Sequence, residues 1–341
     1  MEPLLLLGMF ILAFIVSFAI GANDETMAPA VGAGVISASL AVVLGGLTGI
    51  LGAIFLGEGV SKTVGKGMLK SETLTEAMII AVLLSMAIWL LLVSFLEGLP
   101  ISTTQCIVGS VIGVVFINFG INELNIDKIA EIFLSWVISP IIGFFGGALF
   151  FVFIEKIRTG YPKLVAKIRK KESIKGFTGH ERQERIAAYL LSLFLIWTSF
   201  SRGGNDVANA VGPMMALGAD QIDPFVVLVI GGVGMALGLI IIGRKVVETL
   251  AHDVVSLSPI SALSASISVS LIMFVGTALG LPLSGSHILV AALIAVGWAG
   301  KANIEAKAIK KIGISWIITV PISAILAGVI FLILDFVPTL L

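Results

Sequence analysis

Two short runs in this chain pair amide with carboxylate side chains. They are Gly21-Ala22-Asn23-Asp24, followed by Glu25, and Gly203-Gly204-Asn205-Asp206, followed one turn later by Asn209. Each run follows one apolar stretch and precedes another. A carboxylate at the centre of a bilayer costs about 2.5–3.5 kcal/mol on insertion scales, so one kept there has reason to have a partner. Carboxylate and amide oxygens beside loosened backbone carbonyls suit a hard cation such as Na+. The plainer alternative is that Asp24 and Asp206 cap helices at a membrane surface. Recurrence of the motif in both parts of the chain argues for the site. Gly21, Gly203 and Gly204 are expected to let a helix unwind there, and Pro29 and Pro213 to mark where helix resumes.

A second matched pair is Pro100-Ile101-Ser102-Thr103-Thr104-Gln105 and Pro282-Leu283-Ser284-Gly285-Ser286-His287. Proline suits the first turn of a helix, where its missing N–H is an orphan in any case. Ser and Thr place hydroxyls beside the free N–H groups of that turn. A helix N-terminus carries about half a positive charge and binds phosphate-like anions. Two such ends meeting would form a donor-rich cage for a small tetrahedral oxyanion. Ordinary N-capping is the alternative for either segment alone. Arg202 is the one basic residue beside a motif. His287 matches Gln105 in position and is expected to donate a hydrogen bond rather than to shuttle protons.

The elements that hold these motifs follow from composition. The chain has 341 residues, of which 58% are hydrophobic and 12% charged, and its mean hydropathy is +1.12. Soluble domains carry about 25% charged residues, so a cytosolic enzyme, a secreted domain and a disordered chain are excluded. Residues 155–185 hold ten Lys/Arg and four Asp/Glu, a net +6 against −6 for the rest. Such a loop is ordinary orientation chemistry in a membrane protein and gives no sign of nucleic-acid binding. Cys106 is the only cysteine, which leaves no intrachain disulfide. Apolar stretches near 3–20, 25–57, 76–96, 101–119 and 129–154 resume near 187–217, 223–243, 259–279, 281–299 and 306–336. Inside lipid they must be helical. The segments 101–119 and 281–299 either span or enter and return.

An internal repeat organises these stretches. The Asn-Asp motifs and the Gly-Leu-Pro segments at 98–100 and 280–282 recur at an offset of 182. Gly57, Val60 and Thr63 match Gly243, Val246 and Thr249 at 186, and Leu134-Ser135-Trp136 resembles Ile314-Ser315-Trp316 at 180. The expected domains are a first transmembrane repeat at 1–154, a basic cytosolic loop at 155–186 and a second repeat at 187–341. With that loop inside and an odd number of crossings per half, 120–130 falls outside and 300–311 inside. The outer loop has Lys128 alone, and the inner one Lys301, Lys307, Lys310 and Lys311. The asymmetry favours inverted repeats with both termini external. The fold expected is an all-α polytopic membrane protein: two inverted-topology repeats with broken helices and re-entrant hairpins, in the cell membrane. That is an architecture of secondary transporters.

The two Asn-Asp runs, the second extended as Val207-Ala208-Asn209-Ala210, resemble the paired signature of the inorganic phosphate transporter (PiT) family. Pro100-Ile101-Ser102-Thr103-Thr104 is similar to that family's hairpin motif. The resemblance covers both halves. It implies a symporter of inorganic phosphate coupled to Na+ or H+, working by alternating access and using no enzyme cofactor. The phosphate site would lie between two hairpins, at Ser102, Thr103, Thr104, Gln105, Ser284, Gly285, Ser286 and His287. Sodium would lie near Asn23, Asp24, Asn205, Asp206 and Asn209, with Glu25 and Arg202 as further candidates. The chain departs from the pattern in two places. Glu25-Thr26-Met27 stands for Val-Ala-Asn, and Gly285-Ser286 for Thr-Thr. A sulfate permease of the same fold is the nearest rival reading. A membrane-embedded phosphatase would need a nucleophile beside a general acid or base, which no spacing supplies, and a passive anion channel would not need the carboxylates. Membrane lipid is the remaining expected partner, and a homodimer is left open.

Overall fold

The computed structural model describes residues 3–71, 73–160, 179–215, 217 and 222–336. Its long elements are helices: α1 (Pro3–Ala22), α2 (Ala28–Gly32), α3 (Ala38–Lys66), α4 (Glu76–Leu96), α5 (Thr103–Asn118) and α6 (Ile126–Gly160). There follow α7 (Gly179–Met215), α8 (Pro224–Gly238), a π-helical turn (Leu239–Gly243), α9 (Arg244–Asp253), α10 (Pro259–Ala278), α11 (Gly285–Ala299) and α12 (Ala306–Phe336). Eight spans among the described residues are long and apolar enough to cross a membrane: α1, α3, α4, α6, α7, α8 joined to α9, α10 and α12. The protein is thus an integral membrane protein. Most of the basic loop, residues 161–178, lies outside the described residues.

Two sequence stretches divide differently from expectation. The run at 25–57 separates into the short α2 and the long α3. The run at 223–243 continues through the π turn to Asp253 as one 30-residue span. α5 has 16 residues and α11 has 15. At 1.5 Å per residue these are about 24 and 22 Å long, short of a hydrocarbon core of ~30 Å. The turns that precede α5 and α11 each contain a glycine in the left-handed region, Gly98 (φ 62°) and Gly280 (φ 68°). A side chain there would be strained.

Burial follows the lipid-facing logic. α6 and α12 turn large apolar side chains outward, among them Phe133, Leu134, Val137, Phe145, Ile317, Ile325 and Phe336. Hydrocarbon is the solvent that tolerates such a surface. Helices from before and after residues 161–178 pack against one another in pairs. α3 lies along α7 and α1 along α8, while α5 packs on α12 and α11 on α6. Small residues make the closest of these contacts, as usual where helices meet in lipid. The turn after α3 bridges to the turn after α5 at Leu69 and Leu124. Its counterpart bridges Val255 to Ile304.

Candidate functional site

The first Asn-Asp run ends a helix. α1 stops at Ala22, and Asp24 Oδ1 accepts hydrogen bonds from Thr26 N at 2.9 Å and Thr26 Oγ1 at 2.5 Å. That local turn competes with helix and holds 23–27 unwound. Helix resumes at Ala28 with Pro29 in its first turn, as the sequence suggests. Asn23, Glu25 and Thr26 are all buried.

The second run behaves otherwise. The expected unwinding at Gly203 and Gly204 does not occur: both lie inside the continuous helix α7, and Pro213 falls in its last turns instead of restarting it. These glycines permit close packing. A Cβ on Gly203 would strike the Gly49 carbonyl of α3, and one on Gly204 would come within 2.6 Å of Leu56 Cβ. Gly21 does the same at the end of α1, where a Cβ would strike the Met235 carbonyl of α8. The regular helix spaces Arg202 and Asp206, and likewise Asn205 and Asn209, four residues apart, so each pair shares a face.

One guanidinium therefore serves three carboxylates. Arg202 Nη1 donates to Glu25 Oε1 at 2.8 Å and stands 3.4 Å from Asp24 Oδ1. Its Nε and Nη2 each lie 3.3 Å from Asp206 Oδ2. With Arg202 4%, Asp206 2% and Glu25 0% exposed, and Asp24 part-buried at 12%, this constellation has one positive group against three negative ones.

The N-terminal ends of α5 and α11 meet beside it. Ser102 caps α5 through Gln105 N at 3.2 Å, and Ser284 caps α11 through His287 N at 3.4 Å. The next hydroxyls cross between halves: Thr104 Oγ1 donates to Leu283 O at 3.0 Å, and Ser286 Oγ to Ile101 O at 3.5 Å. Asn209 Nδ2 donates to Thr103 Oγ1 at 3.1 Å and lies 3.5 Å from Thr104 Oγ1. The motif asparagines hold the unwound segments. Asn23 Nδ2 donates to Ile101 O at 2.8 Å, while Asn23 Oδ1 accepts from Ile101 N at 3.3 Å. Asn205 Nδ2 donates to Leu281 O at 2.8 Å. Gly285 lies against Arg202, since a Cβ there would come 2.5 Å from its Nε. His287 packs its ring 4.0 Å from that of Trp316, and its Nε2 is buried without a hydrogen-bond partner.

Glu25, Asp206, Arg202, the motif asparagines and the hydroxyls of Thr103, Thr104 and Ser286 thus meet at one site with Asp24 at its part-buried edge, while Gln105 and His287 join through their capped backbone N–H groups. Within it, Glu25 Oε2, Gln105 Oε1, Asn205 Oδ1 and Asn209 Oδ1 are buried oxygens without a hydrogen-bond partner. Buried acceptors in this condition are rare. They are the right atoms for a hard cation. Sequence reasoning missed Thr26, whose place two residues after Asp24 is the signal of an Asx turn. It also missed the carbonyls of Ile101, Leu281 and Leu283, which no side-chain pattern marks.

A profile described as the phosphate transporter family matches residues 20–327. The chain belongs to the phosphate transporter family. The resemblance of its paired motifs to the phosphate transporters is borne out, and the protein is a transporter, not an enzyme. A Pyrococcus furiosus protein named as a candidate phosphate permease is 29% identical over 97% of this chain and 96% of its own. Inorganic phosphate transporter 2-1, chloroplastic, of Arabidopsis thaliana is 28% identical over 92% of this chain and 69% of its own. A solved structure described as the sodium-dependent phosphate transporter superposes with a TM-score of 0.87 at 28% identity, covering 98% of this chain and 99% of that one. This family member therefore has the fold of a sodium-dependent phosphate transporter.

Proposed function

We propose that the protein imports inorganic phosphate across the cell membrane by symport with Na+, through alternating access between two inverted repeats. One observation carries the reading. A cluster of two buried carboxylates, Glu25 and Asp206, the part-buried Asp24 and one buried guanidinium, with unpartnered amide oxygens on α7, adjoins the N-termini of α5 and α11. The carboxylates call for cations, and the helix ends call for an anion. Asn205, Asn209 and Asp206 would hold sodium on α7, with Asp24 on the other half. Asn23 would act chiefly by fixing the first hairpin. Phosphate would take hydrogen bonds from Thr103, Thr104 and Ser286, with Gln105 and His287 at the third position of each helix and Gly285 leaving room. Ser102 and Ser284 keep the helix ends in place as caps.

The hydroxyls of Thr104 and Ser286 are engaged by carbonyls of the opposite hairpin. Freeing them for an anion requires the tips to part, and that movement is the opening step. Contacts across the halves favour inversion. Thr63, at the end of α3, donates to Gly280 O at the second hairpin at 2.9 Å. Glu97, at the first hairpin, lies 3.9 Å from Lys311 near the start of α12. Each hairpin turn thus lies level with the other half's interhelical turns. With the basic loop cytosolic, both termini are then external.

Phosphate near neutral pH carries a proton and must donate a hydrogen bond, for which these carboxylates are acceptors; sulfate has none to give. A site built around a substrate hydrogen bond rejects an analogue lacking it by ~10⁴-fold or more. In reconstituted vesicles arsenate should compete with labelled phosphate and sulfate should not. Equal competition by sulfate would assign the protein to sulfate transport instead.

A further inference from the structure

We infer that Glu25 occupies the anion seat at the N-terminus of α11, held there by Arg202, and that phosphate must displace it from that guanidinium. This rests on the transport reading above and adds the device that makes anion binding depend on the cation. The two hairpins are built alike but furnished differently. At the first, Thr103 and Thr104 face the amide of Asn209. At the second, the residue matching Thr103 is Gly285. The residue matching Asn209 is Met27, whose sulfur accepts from Ser199 Oγ at 3.4 Å. The place of that amide is taken by charge. Arg202, whose counterpart in the first half is Ile20, lies on the first residue of α11. A Cβ on Gly285 would come 2.5 Å from Arg202 Nε and 2.8 Å from Cζ. Glycine there and arginine on α7 are therefore two parts of one arrangement.

Around the Glu25 carboxylate stand the groups that a tetrahedral oxyanion would seek. Arg202 Nη1 is 2.8 Å from Oε1, the shortest of the guanidinium's contacts. Gly285, the first residue of α11, lies against that same guanidinium, and the first turn of a helix offers N–H groups that its own ladder leaves free. Glu25 is 0% exposed, and its Oε2 has no hydrogen-bond partner. The other two carboxylates are fixed: Asp206 by a continuous helix, and Asp24 by Thr26. Glu25 lies in the unwound segment 23–27, where a few dihedrals suffice to swing it away. Arg202 would remain anchored to Asp206 through Nε and Nη2 and present Nη1 to phosphate. The released carboxylate needs a positive partner, which Na+ supplies. Sodium-free protein keeps Glu25 in the seat, and sodium clears it.

The test is phosphate binding to the purified full-length protein. Labelled inorganic phosphate is titrated at neutral pH in sodium and in choline salt. In the wild type, affinity in choline should be at least ~10-fold weaker than in sodium, the scale of one hydrogen bond to a charged group. Glu25→Gln retains Asp24 and Asp206 as partners for Arg202 and should raise the choline affinity toward the sodium value, shrinking that ratio to about one. Glu25→Asp, one methylene shorter, should move the ratio the same way by less, and serves should the glutamine variant not fold. Choline affinity at or below wild type in the folded variant, with the sodium dependence intact, would overturn the inference alone. Absence of phosphate binding by the wild type in either salt would instead count against the transport reading.

Discussion

Asn23→Ala separates a clamp from a cation ligand. The side chain brackets one backbone unit, donating to Ile101 O at 2.8 Å and accepting from Ile101 N at 3.3 Å. Ile101 is 0% exposed, so water does not replace the lost partners. Each buried backbone group left unpaired costs about 1–3 kcal/mol. Ile101 O keeps only Ser286 Oγ at 3.5 Å, the outer limit of a hydrogen bond. The expected loss is then about 2–4 kcal/mol. Asn205→Ala removes one bond, to Leu281 O at 2.8 Å, and should cost about half as much. Thermal unfolding of the purified protein, read alongside phosphate binding, makes the comparison. Asn23→Ala should melt lower than Asn205→Ala and bind phosphate weakly at every sodium concentration. Wild-type stability in Asn23→Ala, with only its sodium requirement raised, would refute the clamp and restore Asn23 as an ion ligand.

Three further outcomes follow from the contacts. Gly203→Ala places a methyl on the Gly49 carbonyl and should lower the yield of folded protein, whereas Gly49→Ala, with nothing within 4 Å of its added atom, should not; size-exclusion profiles decide. Ser102→Ala should cost ~1 kcal/mol of stability as a lost cap, while Thr104→Ala should weaken phosphate affinity about tenfold or more; equal effects of both on affinity would erase the distinction between cap and ligand. Arg202→Gln leaves the buried Glu25 and Asp206 and the part-buried Asp24 without their cation and should destabilise by about 3–5 kcal/mol, the range for breaking a buried pair; an unchanged melting temperature would contradict the geometry.

Much of this was legible because membrane chains write their function in few polar residues. With 12% charged residues, Asp24, Glu25, Arg202 and Asp206 stood out, and they converge in the structure. The offset of 182 between the Asn-Asp motifs and between the Gly-Leu-Pro segments foretold the matched glycines 98 and 280 and the matched caps 102 and 284. Glycine was misread at 203 and 204 because one residue serves two ends. It frees the backbone, and it also lets helices touch, and only the neighbour chooses. At Gly203 that neighbour is Gly49, more than 150 residues away, and nothing local reports it. The same holds for Gly285, whose missing side chain has meaning only once Arg202 is known to lie on it. The clamp of Asn23 on Ile101 was hidden because its partner is backbone, which every residue carries alike.

The central claim is that phosphate moves with Na+, and vesicles containing only this protein test it most directly. An inward sodium gradient, with no phosphate gradient and no membrane potential, should drive labelled phosphate to a higher concentration inside than outside. Collapsing the gradient with a sodium ionophore should release the excess, and Asp24→Asn or Asp206→Asn should abolish accumulation. Phosphate that rises only to the external concentration, whatever the sodium gradient, would contradict the account.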